Sequence, residues 1–393
     1  MAYANGYTYR RSITTDHTKV SGTGDLTNFP ALIKGTYTYL KTVANGGNVQ
    51  NANGYDIVFA SDGDGATPLK HETERYISTT GEVIYWVKIP TLDGDAATTF
   101  YMFYGNSSIS TNQSDKNNVW RSEYKAVLHL QEAGNSTAGE YVDSTSNNNH
   151  GEGGADSGTN VPAQVTGKIG YAQEFDDGNS EGIAIPDSAT VDLSGDATIS
   201  FYARSSGSGS DTWEAIIAKR SAGSTCNYQI FLWDFSQDIS WQNGGNASRG
   251  SATMTSTFKK ITFVIDSTAD TVVVYIDGAS HQTFTSRELG ATNSAKLTIG
   301  YWSDGTPKEY FSGDLEELRL YGGKLTADWI ATEYNNENSP STFYTVGDEE
   351  TSSAMQGINV WNGSAFVEKP VKWWSGSAWV QKPVKRYNGS TWV

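Results

Sequence analysis

Carboxylates are the first residues in this chain whose grouping suggests chemistry: Asp314, Glu316 and Glu317 stand together in GDLEELRL. Two carboxylates on one strand face, about 5–5.5 Å apart, can serve as nucleophile and acid/base in glycoside hydrolysis. The E-x-D-x-x-E spacing that would set such a pair on a strand does not occur in the chain. The acids of 314–317 are therefore expected to orient loops. The five histidines are scattered, without a Ser-His-Asp pattern, and His129 in AVLHLQE reads as a structural histidine. The expectation is a protein that is not an enzyme.

Binding chemistry has more candidates. Hard oxygen ligands in loops suit calcium, and two loops offer them: Asp62-Gly63-Asp64-Gly65 and Asp176-Asp177-Gly178-Asn179. Both also read as plain turns. No cofactor is required, and a structural calcium is expected, if anywhere, at Asp176, Asp177 and Asn179. Sugars need aromatic faces beside amides and carboxylates. Trp233 and Trp241 share a segment with Asp234, Gln237, Asp238, Gln242 and Asn243, and Trp302 lies in GYWSDG. Trp374, Trp379 and Trp392 complete the candidate platform residues, against the plainer reading of sheet and core packing.

Those last three belong to a 13-residue unit that begins at Trp361, Trp374 and Tyr387. Each copy carries Asn-Gly or Ser-Gly after its first aromatic, which supplies the positive φ of a two-residue hairpin turn. In that geometry Trp361 pairs with Ser364, and Trp361 and Phe366 share a side, as do Trp374 with Trp379 and Tyr387 with Trp392. So short an array buries little surface alone, so docking on another copy, subunit or ligand is expected.

Positioning these residues falls to β structure. The 41 Gly, 22 Tyr and 12 Trp, with only 9 Pro and 18% charged residues, suit many short strands joined by polar turns. Aromatics at 12% exclude an acidic disordered chain. The net charge of −16 is uneven: residues 351–393 carry a local +4, which leaves −20 on the rest. Such a body repels nucleic acid. The single Cys226 excludes an intramolecular disulfide. MAYANGYTYRRSITT has no apolar run, so neither a secretory signal nor membrane insertion is expected.

Strand-like runs such as Val83–Ile89 and Ile261–Ile265 alternate with loops, and Asp277-Gly278 marks a hairpin after Thr271–Ile276. Only Leu325–Asn335 has helical spacing, with Thr326 as N-cap and Trp329, Ile330 and Tyr334 on one side. The fold expected is all-β: a small sandwich over 1–110, a linker over 111–122, a jelly roll over 123–350 and hairpin repeats over 351–393.

Four blocks, FPALIKG, GYDIVFASDGDGATPLKHETERY, VIYWVKIP and TTFYMFYGN, resemble in order a bacterial and phage domain of unknown function that commonly precedes laminin-G-like domains. From AVLHLQE to FSGDLEELRLYGGKLTADWIATEYNN the chain resembles laminin-G-like members of the concanavalin A-like jelly rolls. That resemblance implies two packed sheets and binding of glycans or proteins. The tail resembles terminal repeats of phage tail and fibre proteins. Together these imply a non-enzymatic virion surface protein, made in the host cytoplasm, adhering to glycans or host surface and contacting other virion proteins and further copies of itself. A secreted bacterial adhesin is the alternative, and a polysaccharide-degrading enzyme a weaker one.

Overall fold

The computed structural model describes residues 3, 5–154, 158–207, 209, 212–222, 225–303, 307–352, 358–361, 363–364, 366–369, 372–374, 376 and 379–381. The chain is all-β, built from antiparallel sheets.

The N-terminal module packs a six-stranded sheet on a three-stranded one. In the smaller sheet Glu82–Leu92 lies between Leu26–Thr36 and His71–Ile77. Its run of consecutive buried residues, Val83 to Val87, reflects a sheet covered on both faces. Tyr85 meets Phe59 of the larger sheet at 5.3 Å, while Trp86 faces the opposite way, 5.4 Å from Trp120.

The second module is a two-sheet sandwich. Its eight-stranded sheet includes Gly313–Tyr321 beside Ala197–Ser205, then Lys259–Asp266, Thr271–Ile276 and Ala279–Thr285. The seven-stranded sheet centres on Thr225–Trp233 and Trp213–Ala222. Ile199, Phe263, Leu318, Ile230 and Trp241 fill the space between them. The expected hairpin forms: Ile276 pairs with Ala279, and Asp277 and Gly278 take φ of 52° and 80°.

The expected helix also forms, as Ala327–Asn338, with the Thr326 hydroxyl accepting from Trp329 N at 3.2 Å. Its buried side includes Glu333, Asn336 and Glu337 beside Trp329 and Ile330, whereas Tyr334 is only half-buried. This helix closes an edge. The Asn336 side-chain amide accepts from Leu32 N (2.7 Å) and donates to Leu32 O (3.1 Å), and Tyr344 Oη does the same for Lys34 (2.9 and 3.0 Å). Side chains thus pair the outer strand of the three-stranded sheet where another strand would have to be.

Two boundaries differ from the sequence reading. Tyr344–Val346 and Glu350–Thr351 pair with Tyr9–Thr15, so the end of the presumed jelly roll is an edge of the first module. The 111–122 segment is packed, not free: Val119 and Trp120 are buried, and Asp115 N donates to His71 O. One hydrophobic core consequently runs from Ile13 and Phe59 through Trp86 to Tyr321 and Trp329. In the tail, Trp361 pairs with Phe366, in place of the Trp361–Ser364 pairing expected, and Trp374 pairs directly with Trp379. Trp374 and Trp379 are thus opposite each other, with ring centroids 5.7 Å apart. The third copy, with Trp392, lies outside the described residues.

Candidate functional site

A polar cleft of about 350 Å³ opens at one end of the sandwich, lined by Glu174, Phe175, Asp176, Asn179, Glu181, Ser206, Ser312 and Asp314 among others. Adjacent strands position its acids, since Glu174 and Asp314 are cross-strand partners. Arg204 fixes Asp314 Oδ2 through Nε (2.6 Å) and Nη2 (2.5 Å). Burial pushes the Asp314 pKa up, with the Arg204 charge pulling against it. Glu181 accepts from Asp176 N at 2.9 Å, and burial raises its pKa too.

From the cleft a polar chain leads to an aromatic patch. Ser312 N donates to Glu214 Oε2 (3.0 Å), Gln237 Nε2 donates to Glu214 Oε1 (2.5 Å), and Ser205 Oγ donates to Gln237 Oε1 (2.5 Å). Trp213, next to Glu214, is the cross-strand partner of Trp233, with ring centroids 5.4 Å apart. Both rings are half-buried, and Phe235 beyond them is 71% exposed. Trp213 was not among the candidates from sequence, because only the irregular register of the hairpin strands Trp213–Ala222 and Thr225–Trp233 places it opposite Trp233.

The six candidate tryptophans therefore fall in different places. Trp233 lies in this patch. Trp241 is 0% exposed and stacked at 5.7 Å on Phe263 between the sheets, so it is a core residue that no sugar reaches. Trp302 is also corrected to a packing role: it is buried, with Arg220 and Lys308 at 3.8 and 4.4 Å from its ring centroid. Trp374 and Trp379 are exposed on the tail hairpin.

The loop proposed for calcium borders the cleft, but its groups are engaged in holding a turn. Asp176 accepts from Gly178 N (2.9 Å) and from Asn179 Nδ2 (3.0 Å), and Asp177 accepts from Ser312 Oγ (2.7 Å). Asn179 presents its amide nitrogen to Asp176, whereas a cation would need its oxygen.

Titratable groups at metal-like spacing are found elsewhere. Glu74, His129 and Glu317 bring one ligand atom each within 4.8 Å of one another, deep between the modules. Protons and donors already occupy these atoms. His129 Nδ1 lies 2.8 Å from Glu317 Oε1, Glu74 Oε2 accepts from Trp86 Nε1 (2.7 Å), and Glu72 accepts from Trp120 Nε1 (2.9 Å) and Ser144 Oγ (2.5 Å). Burial would discharge His129, but the charges of Glu317, Glu72 and Glu74 hold its pKa well above the usual value. Arg319 extends the network to Glu317 (2.7 Å), Glu333 and Glu337 (both 2.6 Å), and Lys260 joins the last two. His129 is structural, as its sequence context suggested. Glu316 orients a loop, its carboxylate accepting from the N–H groups of Lys168, Ile169 and Gly170.

Comparison with known proteins places two family models on the chain. A domain of unknown function (DUF2341) matches residues 53–131, and the concanavalin A-like lectin/glucanases superfamily, in its laminin-G-like form, matches residues 177–331. The match to the first model thus precedes the match to the second along the chain. No curated protein matches it. Among solved structures, domain 4 of a GH43 extracellular arabinanase from Geobacillus stearothermophilus, in complex with arabinotriose, is similar at 22% identity and TM-score 0.41, over 54% of this chain and 98% of that one. The binding domain of Paraclostridial mosquitocidal protein 1 (14%, TM-score 0.42) covers 54% of this chain and 52% of its own. That of botulinum neurotoxin DC, solved with rat synaptotagmin II (12%, TM-score 0.41), covers 55% and 52%. The chain spans about half the length of these two toxin domains.

Proposed function

We propose that this chain is a non-enzymatic adhesion protein of a virion surface, a tail, fibre or capsid decoration made in the host cytoplasm, and that its sandwich binds glycans. The observation that carries glycan binding is the rim cleft. Asp314 and Glu181 are held in place by Arg204 and by the Asp176 N–H, so their oxygens form fixed acceptors for sugar hydroxyls. Trp213 and Trp233 lie at the other end of the polar chain from Ser312, and supply apolar faces for pyranose rings. The concanavalin A-like lectin/glucanases match over 177–331 supports the same reading. Virion placement, with contacts to other virion proteins, rests on the resemblance of the repeat tail to phage terminal repeats. A structural calcium beside Asp176 belongs to this proposal and requires the Asn179 amide to turn its oxygen toward the ion, with a rise in Tm on adding calcium as its readout.

The deciding experiment is binding and hydrolysis of bacterial polysaccharides and cells by the purified chain, with and without calcium, alongside Asp314→Asn and Trp233→Ala. Saturable binding without released sugar, weakened about tenfold by either variant, is expected. Released oligosaccharide would overturn the non-enzyme reading, and unchanged binding in both variants would remove the site from the rim cleft.

A further inference from the structure

The chain is strongly acidic, and its rim cleft is lined by Glu174, Asp176, Glu181 and Asp314. A second cleft, about 490 Å³, has the opposite character. It opens at the seam of the two modules and is lined by Lys88, Asn117, Asn118, Arg121, Ser146 and Asn147 among others, with no carboxylate in its walls. Three parts of the chain build it: Lys88 from the strand Glu82–Leu92, residues 117–122 from the packed connector, and residues 145–147 from a loop of the sandwich.

Both cations are held in place without being neutralised. Lys88 Nζ donates to Asn118 O at 3.1 Å, one bond of the three an ammonium can make. Arg121 donates to Tyr321 Oη, and its guanidinium lies over the Tyr321 and Trp329 rings at 4.9 and 4.4 Å. Among the described residues neither has a carboxylate within ion-pair distance. The aromatic faces and the Tyr321 hydroxyl orient Arg121 without cancelling its charge.

We propose that this seam cleft is a binding site for a carboxylated saccharide, a uronic-acid unit of an acidic glycan. Arg121 and Lys88 take the carboxylate, the Asn117 amide and the Ser146 hydroxyl take ring hydroxyls, and Asn118 and Asn147, whose amide nitrogens already donate to Asp115 Oδ1 and to Tyr124 O and Lys125 O, offer their amide oxygens as acceptors. The volume is in the range that holds small ligands and exceeds what a bare phosphate fills. Amide oxygens beside the two cations suit the donor hydroxyls of a sugar ring, which a simple anion lacks. Because each module supplies part of the wall, the site exists only in the joined pair.

The test is titration of the full chain with an oligogalacturonate, with maltotetraose as the neutral counterpart and inorganic phosphate as the bare anion. The uronate is expected to bind saturably and to weaken as salt rises. Lys88→Gln, at a half-exposed position, should leave Tm unchanged and lower uronate affinity about tenfold, the scale of one charge-assisted hydrogen bond. Lys88→Arg should retain it within about threefold, since the charge is kept. Asp314→Asn in the rim cleft should have no effect, which separates failure of this site from failure of the rim cleft. Equal affinity for maltotetraose, binding of phosphate alone, no uronate binding, or an unaltered Lys88→Gln variant would each overturn the proposal.

Discussion

Asn336 holds Leu32 by both of its backbone polar groups, accepting from the N–H at 2.7 Å and donating to the C=O at 3.1 Å, with all four atoms buried. A side chain on the helix thereby takes the place of a missing strand. Removing it exposes no backbone to water, because helix and sheet remain packed on each other, so the N–H and C=O are left unpaired. Asn336→Ala is expected to cost about 2–6 kcal/mol, from two buried groups at about 1–3 kcal/mol each. Chemical denaturation checks this. Asn336→Leu should cost as much, since the loss is of hydrogen bonds and not of volume.

The buried network between the modules makes stability depend on pH in two directions. Glu74 is pushed up to about 7 by burial, opposed by His129 but reinforced by the charge of Glu317, and Glu316 is pushed up to about 8 by burial and by Glu317. These carboxyls stay protonated in the fold where unfolded ones have ionised, so their contribution is full below about pH 4.5 and lost as pH rises through about 7 to 8. His129, held well above its ordinary value by the surrounding carboxylates, likewise loses its contribution as pH rises and its proton leaves. Glu72 and Glu317 run the other way. Burial would raise them, yet His129 holds both low, so their contribution is lost as pH falls below the ordinary carboxylate range. Tm is expected to peak near pH 4.5, where both sets contribute, and to fall on either side. In Glu74→Gln, which needs no proton, the fall between about pH 4.5 and about 7 should be smaller.

How much of this was legible beforehand depends on the kind of signal. The Asp277-Gly278 hairpin and the Thr326-capped helix were visible because each is set by local residues: positive-φ turn positions in one, a hydroxyl cap and apolar spacing in the other. The sandwich was recognisable by resemblance. Trp241 and Trp302 were misread because a tryptophan in a polar segment looks the same whether its face is bare or stacked on Phe263 or Arg220. Glu333 and Glu337, on a helix otherwise read for its apolar side, gave no hint that Arg319 and Lys260 would meet them in the interior. Trp213 and Trp233 meet only at the open ends of two long hairpin strands whose register is irregular, and that pairing leaves no local trace either.

The return of residues 344–351 to the first sheet predicts that the two modules unfold together. Beyond its strand pairing, this segment ties Glu349 to Tyr104 Oη and to Asn48 Nδ2, both at 2.9 Å, and Glu350 to Arg10 at 2.6 Å. A chain ending at Ser352 should keep the Tm of the full chain. One ending at Phe343 loses the buried Tyr344 and its bonds to Lys34, and should be destabilised by on the order of 3–5 kcal/mol. Both chains should show one calorimetric transition. Two separate transitions in the full chain would mean that the shared core does not couple the modules.

Trp374 and Trp379, 50% and 66% exposed, give the tail an apolar face that its own hairpin does not cover. Trp374→Ala with Trp379→Ala should leave the Tm of the body unchanged, because among the described residues neither ring packs against it. Contact between copies is the expected use of that face. The tail carries +4 against −20 on the rest of the chain, so attraction and apolar burial act together when one copy's tail meets another's body. In sedimentation the full chain is then expected to associate at low salt, and to do so less as salt screens the charge. The double variant should associate more weakly at every salt concentration, and the chain ending at Ser352 should be monomeric throughout. If that shortened chain associates as the full one does, the contact lies in the body and the tail aromatics serve another partner.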